Sequence, residues 1–80
     1  MHNQRWHILQ WTPFPGVYEP LPAWQLQAAE WALQMNRRTY YERAIRIGGE
    51  LAYTLADARR IVAYWQKRYT FAEFQISRAD

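Results

Sequence analysis

Apolar residues recur at spacings of three and four along Leu55, Ala58, Val62, Trp65 and Tyr69, with Ile61 beside them. That spacing predicts an amphipathic helix, with Asp57, Arg60, Tyr64 and Lys67 on its opposite side. Thr54, followed three residues later by Asp57, has the form of a shortened capping box and marks the helix start. At Thr70 the period changes to two. Thr70, Ala72, Phe74 and Ile76 alternate with Phe71, Glu73 and Gln75, which is strand spacing. A capped helix running directly into a strand, Thr54 to Ile76, is therefore the element around which the rest of the chain is organised.

Upstream, Arg5 to Trp11 (RWHILQW) is a short alternating segment and predicts a first strand. Thr12 to Pro22 holds all four prolines and one glycine, which predicts a loop with Pro22 at the first position of the next helix. Ala23 to Met35 consists of strong helix formers with one charge, Glu30. Its apolar residues fall on two sides. Trp24, Ala28, Trp31 and Met35 line one face, and Leu26, Ala29 and Leu33 lie roughly opposite at about 100° per residue. A helix apolar on two sides is either enclosed or touches a partner, which makes the Leu26, Ala29 and Leu33 side a candidate interface. Thr39 to Ile47 alternates and is rich in aromatic and β-branched residues, so a second strand is expected. Gly48-Gly49 then predicts a tight turn, and Leu51 to Tyr53 a third strand.

The expected order is strand, helix, strand, strand, helix, strand over one domain, residues 1–80. That is the α+β, ferredoxin-like split β-α-β-β-α-β arrangement: a four-stranded antiparallel sheet with two helices on one face. In that arrangement Ile45, Ile47, Phe74 and Ile76 face the helices. Tyr40, Glu42, Ala44, Arg46, Phe71, Glu73 and Gln75 then lie on the open face. Residues 30–45 laid over 61–76 give five identities (Ala32/Ala63, Arg37/Arg68, Thr39/Thr70, Glu42/Glu73 and Ile45/Ile76), a hint of internal duplication.

A thirteen-residue stretch carries a competing resemblance. Leu33 to Ile45, LQMNRRTYYERAI, resembles the turn and recognition helix of excisionase-type and other small helix-turn-helix regulators. The resemblance implies Asn36 as the helix cap and Arg37, Arg38, Tyr40 and Arg43 facing DNA. It departs from that pattern at Gln34, where a turn glycine is common, and at Glu30, where a small packing residue is common.

Composition adds constraints. At eighty residues, 50% apolar and 18% aromatic, the chain can form one core near the lower size limit for folding without staples. It has no cysteine, which removes disulfides and thiolate metal sites. No apolar run reaches the roughly 18–20 residues that span a bilayer, and the amino terminus lacks a signal-peptide core, so a cytoplasmic protein is expected. The formal charge is +3, and nine of the ten basic residues are arginine, a side chain suited to bidentate phosphate and carboxylate contacts. Lys67-Arg68 and Arg37-Arg38 fall at helix carboxyl ends, where cations favour the helix dipole; Arg46, Arg59 and Arg60 have no such explanation.

Catalytic signals are weak. The only serine is Ser77 and the only histidines are His2 and His7, with no triad or metal-ligand spacing around them. Gly48-Gly49 lacks the lysine and hydroxyl residue of a phosphate loop. The expectation is thus a small non-enzymatic protein-interaction module of accessory-subunit or inhibitor type, without cofactor or metal, that binds another protein or its own copy through its open sheet face or the apolar second side of its first helix. Its candidate interface residues are Leu26, Ala29, Leu33, Tyr40, Glu42, Phe71 and Glu73. The alternative is a nucleic-acid-binding domain using Arg37, Arg38, Arg46, Arg59 and Arg60, with Tyr40 and Phe71 stacking on bases. An enzyme using His7 ranks third.

Overall fold

A computed structural model describes residues 4–80, so His2 lies outside the described residues. Five strands and two helices follow in the order β1 (Trp6–Thr12), β2 (Val17–Pro20), α1 (Ala23–Ala32), β3 (Ile45–Ile47), β4 (Glu50–Ala52), α2 (Leu55–Arg68) and β5 (Phe74–Arg78), with two 3-10 turns, Met35–Arg37 and Tyr40–Glu42, after α1. Strands β2, β1 and β5 form an antiparallel sheet with β1 in the centre, while β3 and β4 form a separate hairpin. Among the described residues no helix is long and apolar enough to cross a membrane.

The expected helix-to-strand unit is present. The Thr54 hydroxyl caps α2 by accepting from the Asp57 amide at 3.2 Å. Ala58, Ile61 and Trp65 are buried along one stripe of α2, and Phe74 and Ile76 of β5 pack against the same core. Asp57 departs from the outer side expected for it: one turn before Ile61, it lies on the buried stripe, where two arginine side chains reach its carboxylate.

A four-stranded ferredoxin-like sheet is not what forms, and two local events explain the difference. The proline-rich stretch is a hairpin rather than a loop, turning through Pro13–Gly16, and β2 pairs Val17–Pro20 with Leu9–Thr12. Pro20 is tolerated there because β2 is an edge strand. This occupies most of the second edge of β1. The β3–β4 hairpin reaches β1 through a single bridge, in which Trp6 and Tyr53 exchange backbone hydrogen bonds of 2.8 Å in both directions.

The second event is that Thr39–Arg43 does not extend. The Glu42 amide closes a turn onto the Thr39 carbonyl at 3.0 Å, and the Thr39 hydroxyl donates to the Glu42 carboxylate at 2.8 Å. Such side-chain bonds compete with sheet ladders. Only Ile45–Ile47 remains as strand; Ile45 is exposed and Ala44 packs against the core, the reverse of expectation at that step, while Ile47 is half-buried and Arg46 exposed as expected. The duplication fails for the same reason, since Tyr40–Glu42 is a 3-10 turn and α2 continues to Arg68 where α1 stops at Ala32. The Gly48-Gly49 turn is as expected: both glycines have positive φ, +63° and +86°, which a two-residue hairpin loop of this type requires.

The core consists of Ile8 from β1, Leu21 before α1, Leu26 and Ala29 from α1, Met35, Tyr53, and Ala58, Ile61 and Trp65 from α2. Polar groups inside it are matched. Gln10 and Gln25 exchange amide hydrogen bonds at 3.1 and 3.2 Å, and the Trp65 indole N–H donates to the Gln25 carbonyl at 3.1 Å.

Truncating Ile61, which has no solvent exposure, should cost about 2–5 kcal/mol in urea unfolding of Ile61→Ala. A second expectation concerns alkaline pH. Burial, and then the hydrogen bond to Glu30 and its negative charge, push the Tyr53 phenol well above the ordinary tyrosine value. The folded state therefore holds this proton more tightly than the unfolded chain. The resulting stability is fully present below about pH 10 and is lost as pH rises above it, at up to about 1.4 kcal/mol per pH unit. Urea midpoints from about pH 9 to about pH 11.5 should fall more steeply for the native chain than for Tyr53→Phe.

Candidate interaction site

Helix α1 presents the face opposite to the one expected. Leu26 and Ala29 are buried and Leu33 packs partly against the core, so this side is not available to a partner in the folded chain. Trp24 is 60% exposed and Trp31 72% exposed, and with Gln27 and Ala28 they line a shallow open groove. Met35, expected beside them, is buried, because the helix ends at Ala32 and Gln34 turns the chain through a left-handed conformation, φ +57°. That is the position where helix-turn-helix proteins favour glycine, yet the residues that follow form 3-10 turns rather than a recognition helix.

The choice between two apolar faces follows from size and polarity. Ala29 has no exposure and α1 packs against α2, and a small residue permits closer approach than an indole. Gln25, on the same inward side, is held by Gln10 and by the Trp65 indole. Trp24 stays at the rim, edge-on to Trp65 with ring centroids 5.9 Å apart. The aromatic surface continues along α2, where Tyr69 stacks on Trp65 at 5.4 Å and the Arg68 guanidinium lies 3.6 Å above the Tyr64 ring.

A second exposed surface is the turn segment Arg37–Arg43. Tyr40 is 82% exposed and Tyr41 stands edge-on to it at 5.6 Å. Glu42 is exposed beside them, though on a turn rather than a sheet face, and bound to Arg38 at 3.3 Å. Arg5 holds this segment from beneath. Its buried guanidinium donates to the Tyr41 carbonyl at 2.8 Å and to the Arg43 carbonyl at 3.0 Å. No periodicity marks Arg5, which reads as the polar flank of a strand. Phe71 is 99% exposed, but it lies with Glu73 between α2 and β5, again off any sheet face.

The five arginines of the alternative reading are divided among different tasks. Arg38 and Arg60 both approach the Asp57 carboxylate, at 2.8 and 3.7 Å, and Arg60 also donates to the Leu33 carbonyl. Arg46 donates to the Gly49 carbonyl across its own hairpin turn. Arg37 and Arg59 are exposed. His7 donates from Nε2 to the Ile47 carbonyl at 3.0 Å, which links β1 to the hairpin. Among the described residues no group of three histidine or acidic side chains is arranged to hold a metal ion.

No protein-family model, curated protein or solved structure is detectably similar to this chain.

Removing the Arg5 head group should loosen the tyrosine turn without dissolving the core. Arg5→Met removes both hydrogen bonds to the Tyr41 and Arg43 carbonyls, which belong to exposed residues, at a net cost of about 0.5–1.5 kcal/mol each. Amide exchange across residues 39–44 should accelerate in this variant while Ile61 and Ala58 keep their protection.

Proposed function

We propose that this chain is a small non-enzymatic interaction module whose contact surface is the Trp24–Ala28–Trp31 face of α1, with a second copy of the chain as its occupant. In architectural terms the proposal is a reduced split β-α-β module, supported by the succession β5, β1 and then the β3–β4 hairpin. The observation that carries the functional reading is the exposure of two tryptophans on one helical face with a small residue between them. Single exposed apolar residues are ordinary. Two indoles lining a common groove are a concentration of the residue type that dominates interface hot spots.

A second copy fits because this face is self-complementary. Trp24, Gln27, Ala28 and Trp31 carry no charge, so the patch does not repel itself although each chain is formally +3. A two-fold axis near Ala28 would set each Trp31 beside the partner's Trp24, indoles flanking the small residue, as an isologous contact requires. Large aromatic side chains bury roughly 150–250 Å² each, and with Trp24 60% and Trp31 72% exposed the four indoles of a dimer supply about 400–650 Å². That falls below the roughly 1,200–2,000 Å² of a standard stable interface, and the association should therefore be weak and concentration-dependent.

A second reading, nucleic-acid binding, draws on the turn segment, where exposed Tyr40 and Tyr41 lie between Arg37 and Arg43. Stacking on such rings is sequence-tolerant, and the affinity would fall steeply with salt.

Light scattering on a size-exclusion column, in low and high salt and with total nucleic acid in a parallel run, separates the two. The interaction reading expects a dimer fraction that rises with concentration and persists in high salt. Trp31→Glu and Ala28→Arg should each abolish it while circular dichroism stays unchanged, since both positions are exposed. A monomer at every concentration that co-elutes with nucleic acid only in low salt, and loses that on Arg37→Glu, would replace this reading with the second.

A further inference from the structure

Between the end of α1, the 3-10 turns, β4 and the first turn of α2 lies a cleft of about 350 Å³. That volume is in the range of small-ligand sites. Its lining is mixed. Met35, Ala44 and Leu51 supply apolar walls, Asn36 and Tyr53 neutral polar ones, and Glu30, Arg38, Glu42, Arg43 and Asp57 charged ones.

Most of the charge there is already cancelled within the protein. Asp57, its side chain only 6% exposed, pairs with Arg38 at 2.8 Å and Arg60 at 3.7 Å, and Arg38 reaches Glu42 at 3.3 Å. Two guanidinium groups thus offset two carboxylates. Two charges of the lining remain, Glu30 and Arg43. One Glu30 oxygen accepts the Tyr53 hydroxyl. Among the described residues Glu30 has no cation within ion-pair distance. Arg43 spends its Nε on the Arg38 carbonyl at 3.2 Å, and among the described residues no carboxylate lies within ion-pair distance of its guanidinium. The two are not paired with each other, and the apolar side chains belong to the same cleft.

A site with one unmatched carboxylate, one unmatched guanidinium and apolar walls matches a ligand with the opposite layout. We infer that this cleft binds a small zwitterion, an α-amino acid with an apolar side chain. Its ammonium sits on Glu30 and the Tyr53 oxygen, its carboxylate on Arg43, and its side chain against Met35, Ala44 and Leu51. The fixed partners hold the site ready. Tyr53 is in the core and Asp57 anchors Arg38, so the walls that meet the ligand have few rotamers to lose. This inference stands apart from the tryptophan face, which shares no residue with the cleft.

The test is a titration of the full chain with L-leucine, followed by backbone amide chemical shifts. Three single-feature probes run beside it: isoamylamine for the cation alone, 4-methylvalerate for the anion alone, and N-acetyl-leucine amide for the uncharged frame. Leucine should shift amides of residues 43–44 and 51–53, and each probe should bind at least about tenfold more weakly, since each lacks at least one charge-assisted contact. Glu30→Gln and Arg43→Gln should each weaken leucine by a similar factor. Arg43 is exposed, so its substitution leaves the core intact, and Glu30→Gln keeps an acceptor for the Tyr53 hydroxyl. Equal binding of leucine and any single-feature probe would overturn the inference. So would an absence of leucine-dependent shifts up to about 10 mM, where even a ligand of about 1 mM affinity would be nearly saturating.

Discussion

One backbone exchange joins the parts of this protein. The Trp6 and Tyr53 amides each donate to the other's carbonyl, and this bridge is what sets the β3–β4 hairpin beside the three-stranded sheet. Its neighbours extend the joint in every direction. Arg5, one residue before, holds the tyrosine turn by two carbonyls. Thr54, one residue after, caps α2. The Tyr53 side chain fills the core and its hydroxyl reaches Glu30 of α1. Two helices, two sheets and the turn segment are therefore positioned from four consecutive-pair residues, Arg5-Trp6 and Tyr53-Thr54. In so small a domain the buried apolar area is limited, and fixed polar contacts of this kind decide which of several similar packings is adopted.

The polar interior follows one rule: each buried donor or charge meets a partner, in most cases one contributed by a distant element. Gln10 and Gln25 satisfy each other across β1 and α1, Trp65 reaches a carbonyl of α1 from α2, and Asp57 draws in Arg38 and Arg60. Among the described residues no buried side-chain polar atom lacks a partner. Leaving such groups unpaired costs about 1–3 kcal/mol each, a large share of the stability of a domain this size. The arginine excess is accordingly in part structural. Arg5, Arg38, Arg46 and Arg60 all bind carbonyls or carboxylates within the chain.

The aromatic residues divide between core and surface by what each can do with its polar edge and its bulk. Trp65 is buried because its N–H finds a carbonyl and its ring stacks on Tyr69. Trp31, Tyr40 and Phe71 remain outside, and of these only Trp31 shares a groove with a second indole.

The sequence by itself determined the elements whose signals are local. Helix α2 was legible from its three-and-four spacing, its start from Thr54, and the β3–β4 turn from Gly48-Gly49; the strand after α2 was legible from the alternation of Phe74 and Ile76, though it begins at Phe74 and not at Thr70, which is part of a turn. Each rests on geometry within a few residues, so pattern and structure agree. The α+β class with antiparallel strands was legible for the same reason. Only the tertiary structure decided the rest. The proline-rich stretch reads as a loop until β1 offers it an edge, and Thr39–Arg43 reads as a strand until Arg5 and Glu42 bind it as a turn. The two faces of α1 are equally apolar, and the inward one was selected by Gln10 and Trp65, far along the chain, which hold Gln25. Asp57, read onto the polar side of α2, lies one turn before Ile61 on its buried stripe, and its charge is met there by Arg38 from a different element. Periodicity measures how a residue relates to its own helix or strand; burial is set by partners at long sequence separation, and these two quantities part company wherever polar groups are paired inside.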